Sequence, residues 1–250
     1  GATFNAHVTG LYVIPAVQIY PMVGYDAVPE TYDGNRQFFL KNQDQVKATF
    51  EQAMQADGLS FAFQVVEGRT PQIAMEVANR GRAYDLVVLS AAQPDGGSGI
   101  EADFAERVVM LAGRPVLVLP REGVDGLTLR EVIVGWDGGR EAARAVFDAM
   151  PLLRAAERVR LVGIDVVPRG TEPGADIAQA LAHHGVKTEI THVPSDGMSA
   201  GDALLRAARD FGAGLLVMGA YSHSRFSEVI FGGATRHVFR NLNLPVLLSH

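Results

Sequence analysis

Glycine and hydroxyl residues are concentrated in one stretch near the C-terminus whose spacing suits an anion. Gly219 follows an apolar run, Gly232 and Gly233 precede a helical stretch, and Ser222 and Thr235 supply hydroxyl groups. Glycine at a strand end allows a sharp turn, and glycines before a helix leave backbone N–H groups open to a phosphate. The same glycines also suit turns and helix caps, and spacing leaves both interpretations open.

A nucleotide needs more contacts than one glycine turn can supply. A helix N-terminus contributes about 0.3–1 kcal/mol to anion binding, whereas micromolar affinity needs about 8 kcal/mol. Arg225 and Arg236, in the same stretch, can neutralise phosphate charge. Asp137 and the strand end at 165–167, which includes Val166, are placed to contact a ribose and a base.

Short apolar runs rich in β-branched residues alternate with runs of helical period along the chain. This alternation is typical of a parallel sheet with crossover helices. The strand-like runs are His7–Ile14, Ser60–Val66, Asp85–Ser90, Pro115–Leu119, Glu131–Trp136, Arg158–Val167, Lys187–Val193, Leu215–Gly219 and Pro245–Ser249. Ligands of such sheets bind beyond the carboxyl ends of the strands, where Asp137, Val166 and Gly219 are expected to meet.

The two halves of the chain repeat one pattern. Leu86–Leu89 matches Leu215–Met218 at an offset of 129 residues, and Arg114–Leu117 matches Leu244–Leu247 at an offset of 130. Near-constant offsets indicate tandem copies of one unit. A polar, glycine-containing linker at 121–126 places the boundary near residue 124, so we call 1–124 the first repeat and 125–250 the second repeat.

The first repeat differs from the second at its start. Tyr-Val-Ile-Pro at 12–15 resembles Asp-Val-Val-Pro at 165–168 with a larger offset of 153, so the first repeat carries an insert, placed at 16–56. The same offset carries the run Glu131–Trp136 back to a position before residue 1. We therefore expect the first repeat to lack its opening strand and helix and the natural chain to be longer, unless a register shift closes the gap. Each buried backbone group left unpaired costs about 1–3 kcal/mol.

These patterns predict an α/β fold of two tandem, open, mostly parallel five-stranded sheets with helices on both faces, Rossmann-like in class. Exposed edge strands invite pairing, so the final strands of the repeats, Pro115–Leu119 and Pro245–Ser249, are expected to join antiparallel. This intramolecular pairing of domains leaves a homodimer of the whole chain open.

Composition excludes several classes of protein. The 250 residues contain no Cys, which excludes disulfide frameworks, thiol nucleophiles and iron–sulfur sites. A net charge of −6 argues against a protein that mainly binds nucleic acid. No apolar run approaches the ~18 residues of a membrane span and no signal pattern opens the chain, so we expect a cytoplasmic protein without a membrane partner.

The sequence patterns that are typical of catalytic residues and of metal ligands are weak in this chain. His183 and His184 precede a glycine at a predicted helix end and have no third ligand in pattern, so no metal site is predicted. The triplet Ser222-His223-Ser224 lacks a Gly-x-Ser-x-Gly elbow, and no P-loop or Gly-x-Gly-x-x-Gly fingerprint follows a strand. No catalytic residue is predicted.

The second repeat resembles the universal stress protein family. Nucleotide-binding members have Gly, two residues, Gly, nine residues, and Gly followed by Ser or Thr; this chain has Gly219, two residues, Ser222, nine residues and Gly232-Gly233. Ser222 and Gly233 depart from that pattern. The Asp137-Gly138 corner and the Pro-Val-Leu final strands also fit, so the resemblance covers the chain as a tandem pair, with a fold like that of adenine nucleotide α-hydrolases.

The resemblance implies a stress-response protein with ATP, or a related adenine nucleotide, bound in the second repeat, with or without Mg2+. The implied binding residues are Asp137, Val166, Gly219, Ser222, Gly232, Gly233, Ala234 and Thr235. It implies a regulatory ligand rather than a fast reaction. Alternatives are a scaffold that binds a partner or small ligand without nucleotide, a slow ATPase, and a nucleotide α-hydrolase.

The first repeat is expected to be degenerate. Its counterpart of the glycine-rich stretch is followed by Glu101 and Asp103, which repel phosphate, and it lacks an aspartate at its first corner. The sequence therefore predicts one nucleotide site per chain.

Overall fold

The chain forms two compact units. The computed structural model describes residues 1–16, 30–69, 72–91, 103–124, 126–167, 171–221 and 233–250. Unit 1 comprises Gly1–Val77 and Gln93–Phe104, and unit 2 comprises Ala78–Ala92 and Ala105–His250.

Unit 1 contains a two-stranded parallel sheet and a long helix. Its elements are a short 3-10 helix at Ala2–Phe4, strand β1 (Val8–Ala16), helix α1 (Glu30–Ala56) and strand β2 (Phe61–Arg69), and helix α2 (Ile73–Gly81) begins in it. β1 and β2 pair in register from Val8↔Phe61 to Ala16↔Arg69. Helix α1 occupies much of the insert expected at 16–56.

Aromatic contacts pack α1 on this sheet. The ring of Phe50 lies 6.0 Å from the ring of Phe61 and 5.6 Å from that of Phe63, between centroids. Gly10 lies beneath them, and a Cβ there would approach the Phe63 ring to 2.9 Å and the Phe50 ring to 3.1 Å. The packing of these two rings therefore requires glycine at position 10 of the chain.

Unit 2 contains a seven-stranded sheet. Its further elements are β3 (Val87–Ser90), α3 (Phe104–Ala112, which begins at the last residue of unit 1), β4 (Val116–Leu119), β5 (Glu131–Gly135), α4 (Arg140–Asp148), α5 (Met150–Ala155), β6 (Arg158–Ile164), α6 (Ala175–His183), β7 (Thr188–Val193), α7 (Ala200–Asp210), β8 (Leu215–Gly219), α8 (Gly233–Arg240) and β9 (Val246–Ser249). The strand order is β3-β4-β9-β8-β5-β6-β7.

The five strands of the second repeat, in the order β9-β8-β5-β6-β7, are parallel to one another. The expected pairing of the final strands is confirmed: β4 joins β9 antiparallel, with Val116 opposite Leu248 and Val118 opposite Val246. An antiparallel pairing here lets two edge strands satisfy each other's backbone groups.

The expectation of two separate five-stranded sheets is wrong for the described residues. β1 and β2 form a sheet of two strands, whereas β3 and β4 extend the sheet of the second repeat. In the second repeat, β5 lies between β6 and β8 and links them. No strand of the described residues links β1 to β3 in that way, so the strands of the first repeat divide between two sheets.

The core of unit 2 surrounds β5, a fully buried strand with an apolar run from Val132 to Val134. Strands covered on both faces carry such continuous apolar runs. Glu131 begins the strand at 2% exposure, and its carboxylate lies 2.7 Å from Arg158 and 2.6 Å from Arg160. These two guanidinium groups compensate the burial of the Glu131 charge.

Candidate functional site

A cavity of about 260 Å³ lies at the carboxyl ends of β5, β6 and β8. Its walls come from those strand ends and from the first turns of α7 and α8, with one residue of α4. This is the edge where parallel α/β sheets bind ligands, because helix N-termini and strand ends converge there. The predicted residues Asp137, Gly219, Gly233, Ala234 and Thr235 all line it.

Asp137 lies in the turn between β5 and α4. Its Oδ1 accepts a hydrogen bond from the Gly139 N–H at 2.8 Å, and Gly138 between them has a φ of +75°. A short acidic side chain that bonds the backbone two residues on, followed by a glycine with positive φ, is a typical tight turn. The turn holds the exposed Asp137 carboxylate at the rim of the cavity.

Gly219 is required by close packing rather than by the turn that the sequence indicated. A Cβ on Gly219 would lie 2.5 Å from the backbone nitrogen of Ala142 and 2.6 Å from the carbonyl carbon of Glu141. These are backbone atoms of α4, which cannot move away as a flexible side chain can. The end of β8 therefore approaches α4 at a distance that only glycine allows.

Helix α8 begins at the cavity with Gly233, Ala234 and Thr235. The first N–H groups of a helix have no partner within that helix, and the helix dipole favours an anion there. A Cβ on Gly233 would meet none of the described residues within 4 Å. A Cβ on Gly201 of α7 would lie 2.3 Å from the Ala234 carbonyl oxygen, so glycine is needed where α7 touches α8.

Thr235 is 2% exposed, and its hydroxyl already has one partner. The Thr235 Oγ1 accepts a hydrogen bond from the backbone N–H of Tyr221 at 3.2 Å. Tyr221 has a φ of +60°, in the left-handed region that favours glycine. Sequence patterns missed Tyr221, since nothing in its local sequence marks a positive φ.

Val166 is placed differently from the expectation. It is within the described part of the chain but does not line the cavity; Val162 and Ile164 line it in its place. Asp165, with a φ of +52°, turns the chain after β6 and accepts a hydrogen bond from the Ser195 N–H at 2.9 Å. Ser222 and Gly232, with Arg225, lie outside the described residues.

The apolar wall was also missed as a site. Leu204, Met218, Val162 and Ile164 line the cavity together with Trp136, which directly follows β5. In the sequence these residues belong to the ordinary apolar pattern of strands and helices. That pattern does not distinguish a residue of the core from a residue that lines a cavity. The cavity therefore combines an apolar interior with a polar rim, a common property of small-molecule sites.

The family model of the universal stress protein family matches residues 128–250. This stretch, just under half of the chain, is therefore similar to the universal stress protein family. Universal stress protein Slr1230 of Synechocystis sp. is 27% identical to this chain in an alignment of 176 positions that covers 66% of this chain and 57% of that protein. The chain thus spans less than two thirds of that relative's length.

A solved structure of similar length shares the fold. A universal stress protein from Archaeoglobus fulgidus DSM 4304 aligns with a TM-score of 0.69 and 14% identity, over 97% of this chain and 85% of that one. A universal stress protein solved in complex with cAMP aligns over 48% of this chain and 97% of that one, with 21% identity and a TM-score of 0.37.

The charge carried by the described lining of the cavity is acidic. Among its described lining residues, Asp137 is the ionisable one. Two hydrogen bonds from Ser195, first that of its side chain and then that of its backbone, lower the pKa of Asp165 beside the β6 end. No group of three or more His, Asp or Glu among the described residues is arranged to hold a metal ion.

The helices of the described residues do not include one that is both long and apolar enough to cross a membrane.

Proposed function

We propose that the second repeat binds ATP, or a related adenine nucleotide, as a regulatory ligand. The observation that carries this proposal is the convergence of five residues predicted from sequence on one cavity with an apolar wall and a helix N-terminus. Its volume of about 260 Å³ is near the lower end of ligand cavities, about 300–1,000 Å³. A base and a ribose fill such a space and leave the phosphates at the open rim.

Each part of a nucleotide has a matching part of the cavity. The apolar wall formed by Trp136, Ile164 and Met218 takes the base. The Asp137 carboxylate accepts hydrogen bonds from ribose hydroxyls. The N–H groups of the first turn of α8 donate to phosphate oxygens, and the first turn of this helix contains no acidic residue.

Magnesium, where it accompanies ATP, is held in this proposal by phosphate oxygens and water rather than by a protein cage. Mg2+ keeps several of its waters and needs few protein oxygens when phosphates are present. Asp137 would be the protein carboxylate nearest to it among the described lining residues.

Binding rather than hydrolysis is the proposed activity. Hydrolysis of a phosphate needs a group that orients or deprotonates the attacking water. Among the described residues that line the cavity, Asp137 is the ionisable candidate, and its Oδ1 already accepts from the Gly139 N–H. The same carboxylate is assigned here to the ribose.

We also infer that the first repeat is a second, degenerate copy of the same unit. Its elements follow the order β1-α1-β2-α2-β3-α3-β4, which parallels β6-α6-β7-α7-β8-α8-β9 in the second repeat. Both have a parallel pair at the start (β1-β2 and β6-β7) and one at the end (β3-β4 and β8-β9). Glu106 in the first turn of α3 opposes phosphate binding there.

Calorimetric titration of ATP, with and without Mg2+, tests the proposed site. The wild-type chain is expected to bind one ATP, and Asp137→Ala is expected to weaken binding by about 10- to 100-fold through lost charge-assisted hydrogen bonds. Asp137→Asn keeps an acceptor for the Gly139 N–H and therefore keeps the turn, but it removes the negative charge. Weaker ATP binding by this variant is then due to the ribose contact and not to a changed turn. Asp210→Ala, at the exposed end of α7, is the control and should bind ATP as the wild type does.

If titration of ATP into the wild-type chain gives no heat of binding at any concentration, the proposed function is wrong and the scaffold that binds no nucleotide is the remaining alternative. Formation of ADP or AMP at a rate that follows Asp137 would instead favour a slow hydrolase.

A further inference from the structure

Tyr221 adopts a backbone conformation that other contacts must hold in place. It follows β8 by two residues, and its φ of +60° is uncommon for a bulky side chain. Such residues persist where the surrounding structure fixes them, and they cluster at ligand sites. Its contacts therefore identify what fixes the chain at this edge of the cavity.

Contacts of its backbone, its hydroxyl and its ring hold Tyr221. Its backbone N–H donates to Thr235 Oγ1 at 3.2 Å, and its phenol donates to the Glu106 Oε2 at 3.1 Å. Its ring meets the His250 ring edge-on, with 6.4 Å between centroids. His250 in turn has its Nδ1 3.1 Å from the carbonyl oxygen of Ala220. Backbone, hydroxyl and ring of one tyrosine are thus each fixed by a different element.

The contact with Thr235 sets the direction of a donor at the cavity. A threonine hydroxyl has one hydrogen to donate and lone pairs to accept with. Because the Tyr221 N–H occupies an acceptor position of Thr235, the hydroxyl hydrogen is directed elsewhere. Thr235 is 2% exposed and lines the cavity at the start of α8, so that hydrogen is available to a ligand oxygen.

The contact with Glu106 brings the first repeat into the site of the second. Glu106 lies in the first turn of α3, and it is separated from Thr235 in α8 by 129 residues, the offset that relates β3 to β8. Equivalent positions of the two repeats therefore hold the same tyrosine, one through its phenol and the other through its backbone N–H.

We infer that Tyr221, anchored by Glu106, is a positioning residue for the nucleotide site, since it fixes the Thr235 hydroxyl as a donor to the ligand phosphates. The inference rests on the proposed function for its ligand. It assigns the degenerate first repeat a role in the site of the second.

ATP titration of four chains tests this coupling: wild type, Tyr221→Phe, Glu106→Ala and the double variant. Each single change is expected to weaken ATP binding by about two- to tenfold, the net effect of one hydrogen bond. The double variant should bind no more weakly than the poorer single variant, because both changes remove one contact. Glu106→Gln keeps an acceptor for the phenol and should stay within about twofold of the wild type. Tyr84→Phe, a tyrosine on the turn after α2, is the matched control.

Hydrogen exchange of the Tyr221 amide gives a readout that needs no ligand. The Tyr221 amide hydrogen, which is bonded to Thr235, should exchange slowly in the wild type and faster in Glu106→Ala, while the exchange rates of the amides in β5 stay unchanged.

A wild-type chain that binds no ATP overturns the proposed function and with it the ligand of this inference. A wild-type chain that binds ATP, with both single variants unaffected, or with additive effects in the double variant, overturns the positioning role alone. Unchanged Tyr221 exchange in Glu106→Ala likewise overturns it.

Discussion

Helices α3 and α8 each connect two neighbouring parallel strands, β3 to β4 and β8 to β9, yet their first turns have opposite properties. Helix α8 begins Gly-Ala-Thr, has no acidic residue in its first turn, and contributes three residues to the cavity. Helix α3 begins Phe-Ala-Glu, and its Glu106 carboxylate accepts a hydrogen bond from Tyr221. A negative side chain in a first turn satisfies the positive end of the helix dipole that a phosphate would otherwise use.

This difference is the reason for placing the proposed nucleotide site at α8 and not at α3. Both helices follow a parallel strand and precede another, as in any repeat of this kind. In the proposed function, the third residue of the helix, Thr235 in α8 and Glu106 in α3, distinguishes the helix start that binds an anion from the one that repels it. The same comparison extends to the strand ends, where Gly219 of β8 corresponds to Ser90 of β3.

The largest effect is expected from Gly219→Ser, which places the residue of the first repeat in the second. Its Cβ would lie 2.5 Å from the Ala142 backbone nitrogen, so α4 and β8 must separate. Overpacking of this kind costs about 1–3 kcal/mol of unfolding free energy, occasionally more. Urea unfolding measures the loss, and calorimetry should show ATP affinity reduced by at least about tenfold, or 1.4 kcal/mol.

Gly126→Ala is the matched control for that substitution. A Cβ at Gly126 meets none of the described residues within 4 Å, so the unfolding free energy of the Gly126→Ala variant should differ from that of the wild type by less than about 0.5 kcal/mol. Equal unfolding free energies of the Gly219→Ser variant and the wild type would show that α4 can move away from β8 without cost, and would contradict the requirement for glycine at this position.

A smaller effect is expected from Thr235→Val, which keeps the shape of the side chain and removes the hydroxyl. The partly buried Tyr221 N–H loses its acceptor, at about 1 kcal/mol for the net effect of one hydrogen bond, and the cavity loses one donor. Thr235→Ser, which keeps the hydroxyl, should restore most of both losses. Parallel thermal unfolding and ATP titration measure them, and a valine variant that matches the wild type in both would contradict the assigned contact.

The smallest effect concerns pH and the strand end at Asp165. Hydrogen bonds from Ser195 lower the pKa of Asp165 in the folded chain. A carboxyl with a lowered folded pKa stabilises the fold above its ordinary pKa, and this contribution is lost as the pH falls through the folded value. Asp165→Asn should therefore lose less stability than the wild type between neutral pH and pH ~3, as measured by urea unfolding. An identical acid response in the two chains would contradict this role of Asp165.

Much of the site could be predicted because strand ends and helix starts are local features of the sequence. Asp137 follows an apolar run, and Gly233 to Thr235 begin a helical run, so both were expected at one edge of a parallel sheet. The antiparallel pairing of β4 and β9 followed from the repeat and from the tendency of edge strands to pair.

The remaining features depend on tertiary contacts that spacing does not encode. Val166 was expected to contact the base, but the left-handed turn at Asp165 leaves that wall to Val162 and Ile164. Gly219 is needed because α4 approaches it. The contact between Tyr221 and Glu106 joins residues 115 apart, and neither has a local signature.

The stoichiometry of ATP binding to the whole chain tests the central comparison most directly. Calorimetric titration should give one ATP per chain, with Asp137→Ala lowering affinity and Glu106→Gln leaving the number of sites at one. Two sites per chain, or binding that survives Asp137→Ala unchanged, would contradict the assignment of the site to the second repeat.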